Sequence, residues 1–172
     1  KKKYKKKYWN IFEEKSKKLN EKNSIDYLNY LLNETIDEYL ISDRKIGTFL
    51  SSGIDSTSLT SIISKKVDYK LNTFTYDFKN NFNIGESLRV KKNLSKLNVD
   101  NHIFFLDSKF VLNNFDKMTK ILESPFTSIR HFGVYGLYKL AKSKNYKVII
   151  EGAGGDEILG GYASNHFRYI LD

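Results

Sequence analysis

An apolar run that ends in a short stretch of small residues places the strongest constraint on how this chain can fold. Residues 49–57 read Phe-Leu-Ser-Ser-Gly-Ile-Asp-Ser-Thr, and a helix-like run follows them. Small residues let a backbone approach an anion closely, and the N–H groups at a helix start offer donors to it. The segment therefore predicts a strand–loop–helix unit whose loop, residues 51–56, can hold a phosphate group.

Asp55 lies within this loop, and its carboxylate would repel a bare phosphate. The residue makes chemical sense beside a metal ion such as Mg²⁺, which can bridge a carboxylate and a phosphate. A helix N-terminus rich in Ser and Asp is also a common structural feature that needs no ligand. The loop by itself leaves both interpretations open.

A second segment repeats the same order of features about a hundred residues later. The β-branched run Val148–Ile150 leads through Glu151 into the small residues 152–155, and the acidic pair Asp156 and Glu157 follows. A dinucleotide-binding fingerprint would need a glycine where Glu157 stands. The chain also lacks the G-x-x-x-x-G-K-[ST] phosphate loop. The two loops therefore predict a different kind of phosphate site.

The two motifs together resemble those of one enzyme family. Residues 51–56 resemble the S-G-G-x-D-S loop of the PP-loop ATP pyrophosphatases, and residues 152–162 resemble the G-E-G-x-D-E-x-x-G-G-Y segment of asparagine synthetases. The pair resembles the synthetase domain of glutamine-hydrolysing asparagine synthetases, from Tyr8 and Trp9 to Tyr162. The resemblance implies an α/β fold of the adenine nucleotide alpha hydrolase-like, PP-loop type, present as a partial domain.

Hydrophobic periodicity predicts strands that alternate with helices along the chain. The predicted strands cover 46–50, 71–76, 101–106 and 147–151, and the predicted helices cover 25–40, 57–66, 86–97, 110–122, 134–144 and 157–170. Ser24 is expected to cap the first helix, and residues 123–130 are expected to form a loop. This alternation favours a parallel sheet with helices on both faces, whose ligands bind beyond the carboxyl ends of the strands. The resemblance implies the strand order 3-2-1-4.

The resemblance also implies which residues bind ATP and Mg²⁺. The residues expected to bind ATP are Leu50, Ser51, Ser52, Gly53, Asp55, Ser56, Tyr76, Glu151 and Gly152. Asp55 and Asp156 are expected to share one Mg²⁺, which usually takes one or two carboxylates plus phosphate oxygens. Structural roles remain open beside these, namely helix capping for the two aspartates and core packing for Leu50 and Tyr76.

Two further residues match family positions outside the loops. Arg130 ends a stretch, residues 127–130, that resembles the family's T-T-[IV]-R, and it is expected to act on the phosphates as a catalytic residue. A surface charge is the alternative for this arginine. Glu86 matches an acidic position of the family and could equally be a helix N-terminal acid.

The chain departs from the family pattern at two positions. Ser52 stands where the S-G-G motif has its first glycine, which keeps a small residue and adds a hydroxyl group. Ala153 stands where the G-E-G motif has a glutamate that is associated with amide formation. An alanine can neither take a proton nor hold an ammonium ion. ATP binding is therefore better supported by the sequence than asparagine production.

The implied activity is ATP-dependent amide-bond formation. Aspartate or another small carboxylate would be adenylated with release of pyrophosphate and then transferred to ammonia from a glutaminase domain. Residues 1–23 are expected to be a linker or truncated edge after a missing glutaminase domain. Residues 24–172 are expected to be the ATP-binding domain without its C-terminal helices, inactive as an isolated fragment and a possible homodimer at full length.

Composition limits the other classes of function. The 172 residues include no cysteine, no apolar run approaches the length of a membrane span, and a cytoplasmic location is expected. The net charge of +9 comes in large part from six lysines among the first seven residues, so nucleic-acid binding is not favoured. The alternatives left open are a related amide-forming cyclase or amidotransferase, an RNA-modifying PP-loop protein and a non-catalytic nucleotide-binding module.

Overall fold

The computed structural model describes residues 3–8, 10, 19–79, 85–95 and 97–162. The chain divides into two compact units, Lys1–Thr35 and Ile36–Asp172. Within the described residues, every strand belongs to the second unit, and so do both predicted loops. In the described part of the chain, no helix has the length and apolar character needed to cross a membrane.

Helix α1 covers Glu21–Tyr39, and its first turn is capped by a residue other than the predicted one. The N–H of Asn23 donates to Asn20 Oδ1 at 2.8 Å, which is the usual contact of an N-cap side chain. Ser24 already lies within the helix, where its hydroxyl donates to the Asn20 carbonyl at 2.9 Å. The prediction that Ser24 caps the helix is therefore wrong, because Asn20 starts it four residues earlier.

Four parallel strands form one sheet in the order β3-β2-β1-β4. They are β1 (Ile46–Phe49), β2 (Leu71–Phe78), β3 (Val99–Leu106) and β4 (Val148–Ile150). In the register, Thr48 of β1 lies between Thr73 of β2 and Ile150 of β4. The predicted strand order is confirmed. Because β1 and β4 are neighbours and point the same way, the loops that follow them lie side by side.

Five further helices connect or follow the strands. They are α2 (Ile54–Lys66), α3 (Glu86–Leu94), α4 (Ser108–Leu122), α5 (Arg130–Ser143) and α6 (Gly155–Leu159). The helix predicted over 157–170 begins at Gly155 and stops at Leu159, because Gly160 adopts the left-handed conformation with φ of 69°. The remainder of that prediction, beyond Tyr162, lies outside the described residues.

Helices pack against both faces of the sheet, as the sequence predicts. On one face, Phe49 and Phe74 pack against Leu137 and Ala141 of α5. On the other face, Leu71 packs against Ile63 of α2 and Ile36 of α1. Alternate residues of β2 thus enter opposite cores, which is the period-two pattern of a strand that is covered on both sides.

Hydrogen bonds fix the carboxyl end of β1 to β2. The Leu50 N–H donates to the Phe74 carbonyl at 2.9 Å, and the Leu50 carbonyl accepts from Thr75 Oγ1 at 2.8 Å. Thr75 is fully buried and its hydroxyl also reaches Asn101 Oδ1 at 3.1 Å. Both backbone groups of Leu50 are therefore held at the point where the first loop begins.

We expect Gly136→Ala to lower the free energy of unfolding by up to about 2 kcal/mol. A Cβ at this buried position of α5 would collide with the Phe104 ring, and overpacking costs ~1–3 kcal/mol, against a gain of about 1 kcal/mol in helix propensity. Urea unfolding measures the effect, and Lys142→Ala on the exposed side of the same helix is the control. A stabilised Gly136→Ala variant would contradict the packing described here.

Candidate functional site

A cleft of about 1070 Å³ opens at the carboxyl edge of the sheet. Its walls come from the ends of β1 and β2, the first residues of α2, α3 and α5, and the loop between β4 and α6. The lining includes residues that the sequence singles out, namely Leu50, Ser51, Gly53, Asp55, Ser56, Tyr76, Glu86, Arg130, Glu151, Gly152, Ala153, Asp156 and Glu157. Ser52 does not line the cleft. The structure thus brings together residues from four separate parts of the sequence.

Hydrogen bonds among its own residues close the first loop into a compact turn. Ser51 Oγ and Ser56 Oγ lie 2.8 Å apart, and the Ser51 N–H donates to Ser56 Oγ at 3.1 Å. The Gly53 N–H donates to Ser51 Oγ at 3.2 Å. The loop leads directly into α2, and the first N–H groups of a helix have no acceptor within the helix itself. An anion in the cleft would meet those N–H groups.

The backbone of the second loop lies directly against Asp55. A Cβ added to Gly152 would come within 3.1 Å of the Ser56 nitrogen, and one added to Gly155 would lie 2.5 Å from Asp55 Oδ2. Larger residues at either position would push the two loops apart. Glycine at 152 and 155 therefore allows the two loops to approach each other closely. Asp55 then lies beside Gly155, the residue that precedes Asp156.

The donor set of the two loops fits a magnesium ion that arrives with phosphate. Asp55 and Asp156 both line the cleft and both are half-buried. Over the described residues, no group of three or more His, Cys, Asp and Glu side chains is placed to form a metal cage. Two carboxylates are the number that Mg²⁺ commonly takes when phosphate oxygens and water complete its shell. Metal binding at this pair stays a prediction.

The charge of the cleft is opposite in sign to that of the whole chain. Its described lining includes six carboxylates, from Asp55, Asp77, Glu86, Glu151, Asp156 and Glu157, and one cation, from Arg130. The Arg130 side chain is exposed at the first position of α5. A polyanion could enter such a cleft only with a cation that offsets the carboxylates.

Leu50 and Tyr76 serve the core and the cleft at the same time. Leu50 is buried, with 4% of its surface exposed, yet it lines the cleft. The Tyr76 ring packs against Gly133, where an added Cβ would lie 2.7 Å from the ring. The structural and the binding interpretations of these two residues are therefore compatible.

The far wall of the cleft carries a short hydrogen bond between two side chains. The Tyr162 hydroxyl donates to Glu157 Oε1 at 2.6 Å. This hydrogen bond holds the pKa of the Glu157 carboxyl below its ordinary value and raises the pKa of the Tyr162 hydroxyl. The Glu157 carboxylate is therefore engaged by the Tyr162 hydroxyl.

Asp77 is an acidic residue of the cleft that the sequence patterns do not single out. It is buried at the end of β2, where its carboxylate accepts from the Phe78 N–H at 2.8 Å and from the Ser87 N–H at 3.0 Å. Burial raises its pKa, but the hydrogen bonds from Ser87 and Phe78 outweigh that effect and hold the pKa below its ordinary value of 3.8. Its position directly after the predicted strand 71–76 is the sequence feature that could have identified Asp77 as a cleft residue.

Asp77 and Glu86 link the sheet to the first loop. Ser87 follows Glu86 at the start of α3, and its hydroxyl also donates to Asp77. The Glu86 carboxylate in turn accepts from the backbone N–H of Ser52, and from Ser52 Oγ at 3.2 Å. Both donors of Ser52 are thus directed to Glu86 in this structure.

The fold and the cleft define the class of protein as a parallel α/β protein with a polar site at the carboxyl edge of its sheet. The asparagine synthase family model matches residues 27–171. The chain therefore belongs to the asparagine synthase family.

Two curated relatives illustrate the similarity. The chain is 33% identical over 141 residues to asparagine synthetase [glutamine-hydrolyzing] 2 of Bacillus subtilis, with 78% of this chain and 18% of that protein covered. It is 28% identical over 143 residues to putative asparagine synthetase [glutamine-hydrolyzing] 2 of Methanocaldococcus jannaschii, with 83% of this chain and 27% of that protein covered. The chain thus spans between about a fifth and about a quarter of the length of these relatives.

Among solved structures, the NH3-dependent NAD synthetase from Campylobacter jejuni aligns with a TM-score of 0.48 and 17% identity. The alignment covers 84% of this chain and 62% of that chain.

We expect Asp77→Asn to lower the free energy of unfolding by about 1–3 kcal/mol at pH 7, because an amide cannot accept all the hydrogen bonds of the carboxylate. The folded-state pKa of Asp77 is depressed, so the stability it adds is complete above pH 3.8 and is lost as the pH falls through the lower folded-state pKa. The difference between wild type and variant should therefore shrink only below pH 3.8.

Urea unfolding at pH 7 and at a series of pH values below 3.8 measures this difference. The matched control is Asp43→Asn, at an exposed acid in the turn before β1, which should change stability by less than about 0.5 kcal/mol. A difference for Asp77→Asn that stays constant down to the acid transition would contradict the assignment.

Proposed function

We propose that this chain is the ATP-binding part of an amide ligase that activates a carboxylate with ATP and transfers the acyl group to ammonia. The observation that supports this most strongly is the contact between the two loops, with Asp55 Oδ2 against Gly155. Two loops that meet at the carboxyl edge of a parallel sheet form the usual ligand position of such folds. Membership of the asparagine synthase family supports the reaction class.

Different residues of the cleft would bind different parts of ATP. We assign the pyrophosphate of ATP to the turn formed by Ser51, Gly53 and Ser56, and the adenosine to the surface around Leu50 and Tyr76. A bound Mg·ATP would supply a leaving pyrophosphate and a charge-neutralised phosphorus for attack by the carboxylate.

Three side chains would hold the remaining charges of the complex. Asp55 and Asp156 would hold the metal from the two facing loops, which lets a triphosphate enter an otherwise acidic cleft. Arg130 would pair with phosphate oxygens from the opposite wall. The exposed position of this arginine leaves its guanidinium free to swing toward a ligand.

The acidic lining argues against RNA as the ligand of the cleft. A polynucleotide brings one charge per phosphate and is recognised by basic surfaces. The described lining offers six carboxylates and one arginine. The positive charge of the chain lies elsewhere, with six lysines among residues 1–7.

Ala153 supports a second candidate within the same reaction class. It lines the cleft and is exposed, so the space beside it is open to a ligand. A related amide-forming cyclase or amidotransferase could use that space for an acceptor larger than ammonia. The substrate would then be a different carboxylate, a different amine, or both.

The names of the relatives suggest where the ammonia for the reaction comes from. Both are glutamine-hydrolyzing enzymes, and each is much longer than this chain. We propose that a glutaminase domain provides ammonia, that residues 24–172 form the ATP-binding domain, and that the protein acts in the cytoplasm on aspartate or a similar small acid.

We expect Ser51→Ala combined with Ser56→Ala to weaken the binding of Mg·ATP by about tenfold or more, because the hydroxyls that close the loop are lost. Titration calorimetry of the full chain measures the affinity, and circular dichroism checks the fold. Ser143→Ala, which removes an exposed serine hydroxyl from α5, is the matched control. Unchanged affinity in the double variant would remove this loop from the site.

We expect Ala153→Glu to raise amide formation by the full-length protein by about 10²-fold or more, since a positioned general base is worth ~10²–10⁴-fold. Pyrophosphate release should change less, because the phosphate loop and the two aspartates are untouched. Ala153→Gln is the control, because it has the same size without the carboxylate.

Two outcomes would contradict that expectation in different ways. A wild type that makes asparagine at an ordinary rate, with no effect of Ala153→Glu, would make the alanine a tolerated variant. A wild type that amidates an unrelated acid, and loses this activity in Ala153→Glu, would favour the second candidate.

A further inference from the structure

Ser52 occupies an unusual position for a residue of a phosphate loop. It is half-buried and does not line the cleft, whereas its neighbours Ser51 and Gly53 do. Its N–H donates to Glu86 Oε1, and its Oγ lies 3.2 Å from Glu86 Oε2. One residue of the loop therefore engages both oxygens of a carboxylate that comes from another element.

The carboxylate that receives these bonds is itself tied to the sheet. Glu86 is the first residue of α3, and the next residue, Ser87, donates its N–H and hydroxyl to the buried Asp77 of β2. Hydrogen bonds to a carboxylate are among the stronger ones in proteins. A continuous set of contacts thus runs from β2 through the start of α3 to Ser52.

The side chain at position 52 adds the second of the two bonds. A glycine there would offer Glu86 only its N–H, as the S-G-G form of the motif would. Two bonds to one planar carboxylate restrict the rotation of the Ser52 backbone more than one bond does. Phosphate contacts are then left to Ser51, Gly53 and Ser56, which line the cleft.

We propose that Ser52 and Glu86 form a clamp that sets the conformation of the phosphate loop before nucleotide binds. Glu86 is a positioning residue, and the hydroxyl at position 52 serves the geometry of the loop instead of contacting phosphate. This inference rests on the proposed function, because the benefit of the clamp is tighter binding of Mg·ATP.

Amide hydrogen exchange without nucleotide tests the clamp itself. We expect exchange of the Ser52 N–H to quicken by about tenfold or more in Glu86→Ala, because the acceptor is removed. Glu38→Ala, at an exposed glutamate of α1, is the control and should leave it unchanged. Unchanged exchange at Ser52 in Glu86→Ala would overturn the proposal.

A double-mutant cycle on Mg·ATP affinity tests the consequence for binding. Ser52→Gly and Glu86→Ala should each weaken binding by up to about tenfold, and the double variant should bind as Glu86→Ala does, because the two residues share one interaction. Circular dichroism should show that all three variants keep the wild-type fold, so that the loss of affinity reports a local change in the loop and not unfolding.

Opposite results separate the competing explanations. Tighter binding in Glu86→Ala would show that the carboxylate competes with phosphate for the loop, and additive losses would show that Ser52 contacts the nucleotide independently. If the wild type itself does not bind Mg·ATP, the proposed function fails, while the exchange measurement still decides whether the clamp exists.

Discussion

The parallel pairing of β1 with β4 is the interaction on which the site depends. Gly47 pairs with Ile149 and Thr48 with Ile150, so two segments about a hundred residues apart end at the same edge of the sheet. A Cβ at Gly47 would lie 2.9 Å from the Phe74 ring and 3.2 Å from Ile149, so the glycine permits this close packing. Without the pairing, the two loops would not meet.

The loops are then held by polar contacts beneath the cleft. Thr75 fixes the Leu50 carbonyl where the first loop begins, and Asp77 fixes the start of α3. Both residues lie on β2, the strand next to β1. Buried hydrogen bonds are costly to leave incomplete, so such contacts favour one conformation of the loops over others. The central strands thus act as the rigid base of an exposed cleft.

Much of this arrangement follows from local patterns in the sequence. The apolar runs predict the four strands, and the two loops of small residues are recognisable where those strands end. Other features depend on distant partners or on small local differences. Asn20 and Ser24 are both good capping residues, and Gly160 stops a helix whose apolar pattern continues. The role of Asp77 depends on Ser87, ten residues away and on another element.

The central claim is that the two loops form one site for Mg·ATP. A crystal structure with Mg²⁺ and a non-hydrolysable ATP analogue tests it most directly. The account predicts the triphosphate along Ser51–Ser56 and a single Mg²⁺ bound by both Asp55 and Asp156, at about 2.1 Å or through one of its waters. A nucleotide outside the cleft, or a metal ion that neither aspartate approaches, would contradict it.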